Sequence, residues 1–329
     1  MQDNFVSIII PCRNEERYIA RCLDSIIAQD FPKDKLEILV IDGMSEDKTR
    51  EILKNYTRQF PFIRFLDNPK KITPTGLNIG IENAKGEIIV RMDTHATYAK
   101  DYISKCVKFL KEYNADNVGG VIKTLPAKNT IVAKAIAASL SNPFGAASGF
   151  RIGSNRPKEV DTVFGGCYKR EVFDKIGLFN ENLARSQDLE FNLRLKKTGG
   201  KILLAPDIIS YYYPSSNFKD FLKHNFVDGI WAIYPLKFIK IPFSFRHYIP
   251  FLFVLSLIGT GLLGIFFPIL FYLFLFTIGL YFLVNIYFSI GVTLKEKELG
   301  YLFLMPIIFS VRHIGYGLGS IFGLIKILQ

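Results

Sequence analysis

Cysteine is scarce in this 329-residue chain. The four present, Cys12, Cys22, Cys106 and Cys167, fall at no metal-ligand spacing and form no paired framework. That excludes a disulfide-built secreted domain and leaves reduced thiols in a cytosolic compartment as the simplest account. Glycine signatures for phosphate are missing too. No Gly-x-Gly-x-x-Gly follows the first apolar run, and no Gly-x-x-x-x-Gly-Lys-Ser/Thr occurs. A bound diphosphate would therefore need a cation to carry much of its charge. Met1 to Asn4 hold no basic segment before the short apolar run from Phe5 to Ile10, so no secretory signal is expected. Charge itself vanishes over one stretch: His247 to Leu294, 48 residues, contains no Asp, Glu, Lys or Arg. That is enough for two membrane spans at about 20 residues each.

The charge that is present totals +11. Lys219, Lys223, Lys237, Lys240 and Arg246 precede the uncharged stretch, which fits an anionic membrane surface and the positive-inside rule. Because the basic residues cluster there, a lipid bilayer is the expected partner and nucleic acid is not. A third apolar run, Leu299 to Ile325, carries Arg312 and His313 near its middle, costly groups inside a bilayer. Either Arg312 meets a lipid phosphate, or it pairs with another span, or the segment is re-entrant. Residues 1–214 are expected to form a cytoplasmic domain and 215–245 interfacial helices, with Phe218 to Tyr234 amphipathic. Residues 246–329 are expected to form a transmembrane region with segments near 247–267, 269–292 and 299–325.

From the N-terminus, β-branched runs alternate with helical periodicity. Phe5 to Ile10, Leu36 to Ile41, Ile63 to Leu66 and Ile88 to Val90 read as strands; Lys48 to Phe60 and a segment begun by Thr73-Pro74 read as helices. Such alternation implies a parallel sheet with right-handed crossovers. The strand ends at Pro11, Asp42 and Asp93 would then lie along one edge, where open α/β sheets bind ligands. Beyond Asp93 the spacing predicts a helix over Tyr102 to Tyr113, a strand over Asn117 to Lys123 and an Ala-rich helix over Thr130 to Leu140. A Gly/Ala/Ser-rich loop from Asn142 to Gly153 reads as a lid or a plain connection. Asp161 to Tyr168 reads as a strand with a glycine pair, a mark of close approach or of a bulge.

Asp93 and His95 sit two apart and can point to one side of an extended exit. A carboxylate with an imidazole suits Mg²⁺ or Mn²⁺ when a diphosphate adds oxygens; the alternative is a solvated turn. Asp188 opens a helix entered near Ser186, where a carboxylate is favoured electrostatically, as a capping acid or as something more.

The order of these pieces carries more than any one of them. Val6-Ser7-Ile8-Ile9-Ile10-Pro11-Cys12-Arg13-Asn14-Glu15, Val40-Ile41-Asp42-Gly43, Ile88-Ile89-Val90-Arg91-Met92-Asp93-Thr94-His95, Phe164-Gly165-Gly166 and Gln187-Asp188-Leu189-Glu190 follow one another. This series resembles the family 2 glycosyltransferases, over roughly residues 5 to 215, and with its apolar tail looks like the succinoglycan-type glucosyltransferases of exopolysaccharide assembly. The resemblance implies an α/β GT-A fold, Rossmann-like, with a mostly parallel sheet flanked by helices, ahead of a C-terminal α-helical transmembrane region.

By position it implies that Asp42 reads uracil and that Pro11, Arg13, Asn14 and Glu15 hold the nucleoside, with Asn78 and Arg91 on the same side. Asp93 and His95 stand where the family has Asp-x-Asp, which shifts the metal expectation toward Mn²⁺ over Mg²⁺. Asp188 resembles the catalytic base. Gly165, Gly166, Gln187, Glu190, Trp231 and Arg312 are expected near sugar or acceptor. The implied reaction is inverting transfer from a UDP-sugar to a polyprenyl-diphosphate-linked saccharide, with charging of polyprenyl monophosphate or a silent scaffold as alternatives. The Gln-x-x-Arg-Trp of processive synthases is absent: His224 to Trp231 is the nearest stretch, so one sugar per encounter is expected.

Overall fold

The computed structural model describes residues 4–145, 148–239 and 243–329. Met1 to Asp3, Lys240 and two residues of the expected loop from Asn142 to Gly153 lie outside the described residues. Two compact units divide the chain: Met1–Lys123 with Gly149–Tyr212, and Thr124–Ser148 with Tyr213–Gln329.

In the first unit, β1 (Val6–Cys12), α1 (Ile19–Ile27), β2 (Leu36–Asp42), α2 (Thr49–Gln59), β3 (Ile63–Asp67), α3 (Thr73–Asn83) and β4 (Ile88–Arg91) alternate as their periodicity predicts. Then follow β5 (Ala96–Tyr98), α4 (Tyr102–Glu112) and β6 (Asn117–Thr124). The sheet order is β3-β2-β1-β4 followed by β8 (Cys167–Lys169), β6, β9 (Ile202–Tyr212) and β5. β1 runs parallel to β2 and β4, and β2 parallel to β3; β4 meets β8 antiparallel. Side chains of β1 and β2 alternate between two cores. Ile8, Ile10, Ile38 and Val40 pack with α1 and α4, while Ile9, Leu39 and Ile41 pack with α3 and α8 (Gln187–Lys197). Burial on both faces is why these strands are continuously apolar. In register Cys12 faces Asp42 and Asp42 faces Asp67, so polar groups gather at the strand ends.

The glycine-bearing segment departs from expectation. Asp161 to Gly166 is not a strand; pairing starts only at Cys167. Gly165 and Gly166 have φ of +68° and +109°, outside any strand conformation. The expected loop contains a short helix, α6 (Gly149–Ile152), and β7 (Lys158–Glu159) and α7 (Glu171–Ile176) complete the unit.

The second unit holds α5 (Ile131–Leu140), α9 (Phe218–Ile233), α10 (Ile249–Leu263), α11 (Pro268–Glu296) and α12 (Tyr301–Leu328). Thr130 caps α5, its side chain accepting from Ala133 N. α9 turns Phe221, Asn225, Gly229 and Ile230 inward against α12. A Cβ on Gly229 would meet Tyr316 O at 1.9 Å, and one on Gly319 would meet Phe226 O at 1.9 Å, so these backbones touch. α11 and α12 are long and apolar enough to cross a membrane. α10, expected as a full span over residues 247–267, has only 15 helical residues.

Candidate active site

The site is built around Arg91, the last residue of β4, a buried guanidinium with 7% exposure. Its Nη2 lies 3.2 Å from Asp93 Oδ1 and its Nη1 3.5 Å from Asp188 Oδ2. Asp93 comes from the loop after β4 and Asp188 from the first turn of α8. Burial works against the Arg91 charge, but Asp93 and then Asp188 outweigh it and hold the group protonated above its ordinary range. The glycine pair passes beside it: Arg91 N donates to Gly166 O at 2.9 Å, and a Cβ on Gly165 would stand 2.7 Å from Arg91 O. Arg91 Nε and Gln187 Oε1 are buried without a hydrogen-bond partner. Arg91 Nη1, which faces Asp188 Oδ2 at 3.5 Å, likewise makes no hydrogen bond, so the site holds more buried donor and acceptor capacity than the chain itself uses.

Asp93 is fixed by its own backbone. Its N–H donates to the Tyr98 hydroxyl at 2.8 Å, which makes Tyr98 a positioning residue that sequence reasoning missed. The alternation through β5 was the available signal. His95 Nε2 lies 3.4 Å from Glu15 Oε2 and its ring 4.5 Å from Tyr18. Burial pushes the Glu15 carboxyl up to about 7, with Asp47 and Asp93 adding to the rise and a hydrogen bond from Thr94 opposing it. Glu15, Asp93, His95, Arg91 and Asp188 thus form one linked group together with Gly165 and Gly166.

The Pro11 to Glu15 turn is stapled to the turn after β2. Asn14, at φ +55°, donates from its backbone N to Ser45 Oγ at 2.8 Å and accepts from Glu46 N at 2.9 Å. Glu15 N donates to Thr49 Oγ1 at 2.7 Å. Arg13 is exposed and Pro11 half-buried at the end of β1. Asp42 is fully buried and already engaged, accepting from Ser45 N, from Ser45 Oγ and from Arg50 Nη1; Arg50 also reaches Asp67 at 2.8 Å. These three donors take most of the roughly four acceptor positions of the carboxylate.

Other expected site residues are placed elsewhere or occupied. Asn78 clamps the backbone of Phe179, donating to its O at 3.0 Å and accepting from its N at 2.9 Å, with Glu181 at 3.2 Å. Glu190 pairs twice with Arg194, which holds Leu178 O and Ile176 O. Asn78, on α3, thus holds the backbone of Phe179, and Glu190, on α8, holds Arg194. Trp231 and Arg312 belong to the second unit. There Trp231 packs edge-on to Tyr234, and Arg312 Nη1 donates to Asn225 Oδ1 at 2.9 Å.

Among the described residues no three His, Cys, Asp or Glu side chains cluster tightly enough to enclose a metal. Asp93 and His95 keep 26% and 42% of their side chains exposed, so both reach solvent from one short loop. One carboxylate and one imidazole fit a divalent ion that arrives with the oxygens of a diphosphate, rather than one resident in the protein alone.

A doubly wound sheet with acids gathered at its carboxyl ends defines a nucleotide-binding α/β enzyme. Residues 7–177 match glycosyl transferase family 2, and the chain belongs to that family. It is 31% identical over 98% of both chains to a dolichyl N-acetyl-α-D-glucosaminyl phosphate 3-β-D-2,3-diacetamido-2,3-dideoxy-β-D-glucuronosyltransferase of Methanococcus voltae. To the succinoglycan biosynthesis protein ExoA of Rhizobium meliloti it is 27% identical, over 72% of this chain and 76% of that protein. Its fold is shared with a mannosyltransferase of Pyrobaculum calidifontis solved with GDP-mannose and Mn²⁺, at a TM-score of 0.56 and 22% identity, covering 74% of this chain and 67% of that one. The chain is accordingly a glycosyltransferase with a GT-A-like fold.

Proposed function

We propose that the chain moves a sugar from a nucleotide-sugar, UDP-linked, onto a hydroxyl of a saccharide carried by a polyprenyl phosphate lipid, with inversion and one sugar per encounter. The observation that carries this reading is Arg91, which ties Asp93 to Asp188 beneath the Gly165-Gly166 crossing. It sets the acid on the diphosphate side and the acid on the acceptor side on one rigid cation. Asp188 takes the proton of the attacking hydroxyl; the acceptor oxygen bonds to the anomeric carbon from the face opposite the departing nucleoside diphosphate. A divalent ion held by Asp93 and His95 would supply neutralising charge for the departing diphosphate. The similarity to an enzyme whose name gives a sugar on dolichyl phosphate as acceptor supports elongation of a lipid-linked sugar over charging of the bare lipid. The long apolar helices α11 and α12 support a cell-membrane location, and the basic residues ahead of α10 support a cytoplasmic side for the catalytic unit.

Asp188→Asn tests the assignment. It keeps the shape of the first turn of α8 while removing the base, so transfer is expected to disappear while nucleotide binding persists. Near-normal turnover would remove Asp188 from the reaction. A ladder of products from one donor in one incubation would contradict single addition.

A further inference from the structure

We propose that α10, the turn Gly264–Phe267 and the first part of α11 form a hairpin that enters the bilayer and returns to the same face, its tip ending in hydrocarbon. The inference concerns the anchor alone and stands whether or not the proposed donor and acceptor are correct.

The chemistry of the tip comes first. Ile265, Phe266, Phe267 and Ile269 are 76%, 76%, 56% and 75% exposed, side by side, with no polar residue between Gly264 and Ile269. A turn emerging into water on the far face would leave this whole patch wet. The backbone agrees. Gly264 N donates to Thr260 O, Ile265 N to Leu262 O, and Phe266 N and Phe267 N to Leu263 O, at 2.8 to 3.4 Å. The next residue, Pro268, has no N–H to satisfy. Hydroxyls on the legs also turn back on their own helices: Ser256 to Phe253 O, Thr260 to Ser256 O and Thr277 to Leu273 O. Unmet polar groups are what a lipid-exposed turn cannot carry, and here the N–H groups from Gly264 to Phe267 are met from within and Phe267 O accepts from Leu270 N and Phe271 N.

Length decides the depth. The 15 residues of α10 rise about 22 Å, short of the roughly 30 Å of hydrocarbon. α11 has 29 residues, but one face of its later part is covered by protein, while Tyr287, Ile290 and Leu294 on the other stay exposed. Asn285, Ser289 and Thr293 are buried, and Asn285 donates to Pro306 O at 3.0 Å and to Ser310 Oγ at 3.2 Å. Phe288 and Val292 join the core that contains Ala135, Ile136 and Met305. The part of α11 that carries no buried residue is therefore Pro268 to Val284, 17 residues, about 25 Å. The two legs pair antiparallel along this length, with Phe274 against Gly261 and Phe253 stacked on Tyr281 at 4.6 Å. Every charge lies at the base: Arg246 before α10, and Lys295 to Glu298 at the end of α11. The hairpin is a wedge that enters and leaves by one leaflet.

The four native cysteines are all buried, so single introduced cysteines report alone. Phe266→Cys, Ile265→Cys at the neighbouring tip position and Leu299→Cys at the base are reconstituted into phosphatidylethanolamine–phosphatidylglycerol vesicles. A membrane-impermeant maleimide is then offered to either face or to both. The expected result is labelling of Leu299→Cys from one face only. Both tip variants should label about tenfold less with reagent on both faces and become reactive only in detergent, as for a tip buried in hydrocarbon. A bimane at Phe266→Cys should be quenched most by lipids spin-labelled in mid-chain. Tip labelling from the face opposite Leu299→Cys would mean two full spans, and tip labelling from the same face would mean no insertion; either overturns the proposal.

Discussion

Replacing Arg91 with methionine keeps the length of the side chain and removes the cation that joins Asp93 to Asp188. At an effective dielectric of about 20, charges 3.2 and 3.5 Å away each attract by about 5 kcal/mol before desolvation. Burying the guanidinium takes back much of this; breaking a fully buried pair costs about 3–5 kcal/mol. The Asp93 and Asp188 side chains keep 26% and 31% exposure, so water relieves part of the penalty and about 2 kcal/mol is expected. For a chain of 329 residues that lowers the melting temperature by about 3 °C. The larger effect falls on chemistry, because the two acids lose their common anchor. Misplacement by about 1 Å costs on the order of 100-fold in turnover. Arg91→Lys separates the two effects: it restores charge at one point but lacks the fork that reaches two acids. Thermal melts and single-turnover transfer should therefore show Arg91→Lys recovering most of the melting temperature while transfer stays about tenfold low. An Arg91→Met protein that melts normally and transfers within twofold of the parent would refute the reasoning.

Gly165→Ala places a Cβ 2.7 Å from Arg91 O at φ +68°, and a loss of about 1–3 kcal/mol in unfolding free energy is expected, with transfer reduced alongside. An unchanged melt would show that the loop yields easily and holds nothing. Asn78→Ala strands the buried N–H and carbonyl of Phe179, so a loss of about 2–3 kcal/mol is expected with nucleotide affinity preserved, checked by calorimetry on the folded variant. A large loss of affinity would return Asn78 to the nucleotide. Thr130→Ala removes the hydrogen bond that caps α5 and should cost about 1 kcal/mol, read by thermal melt, without altering nucleotide binding.

Much of the first unit was legible because its strands are buried on both faces. Apolar runs rich in β-branched residues, such as Ile8-Ile9-Ile10 and Ile38-Leu39-Val40-Ile41, admit few other readings, and the second ends in Asp42 at the carboxyl edge. The segment from Asp161 to Tyr168 misled because Val163, Phe164 and Tyr168 look like strand residues. What decides it is the positive φ at both Gly165 and Gly166, which composition does not reveal. A cation ending an apolar strand, just ahead of Asp93, was a visible sign that Arg91 matters, but its second partner on α8 is a tertiary fact. Asn78 and Glu190 show the reverse: polar residues near a motif whose hydrogen bonds hold backbone and a neighbouring arginine. In the second unit the lack of charge from His247 to Leu294 was plain, whereas the shortness of α10 and the internally met N–H groups of the turn after it needed coordinates.

Acceptor choice tests the central claim most directly. Purified protein with Mn²⁺ and labelled UDP-sugar is offered bare polyprenyl phosphate and, separately, polyprenyl mono- and diphosphates that already carry one sugar, and the anomeric configuration of any product is read by NMR. The account predicts label only on a sugar-bearing lipid, in a single addition, with configuration opposite to that of the donor. Label on bare polyprenyl phosphate, or retention of configuration, would contradict it.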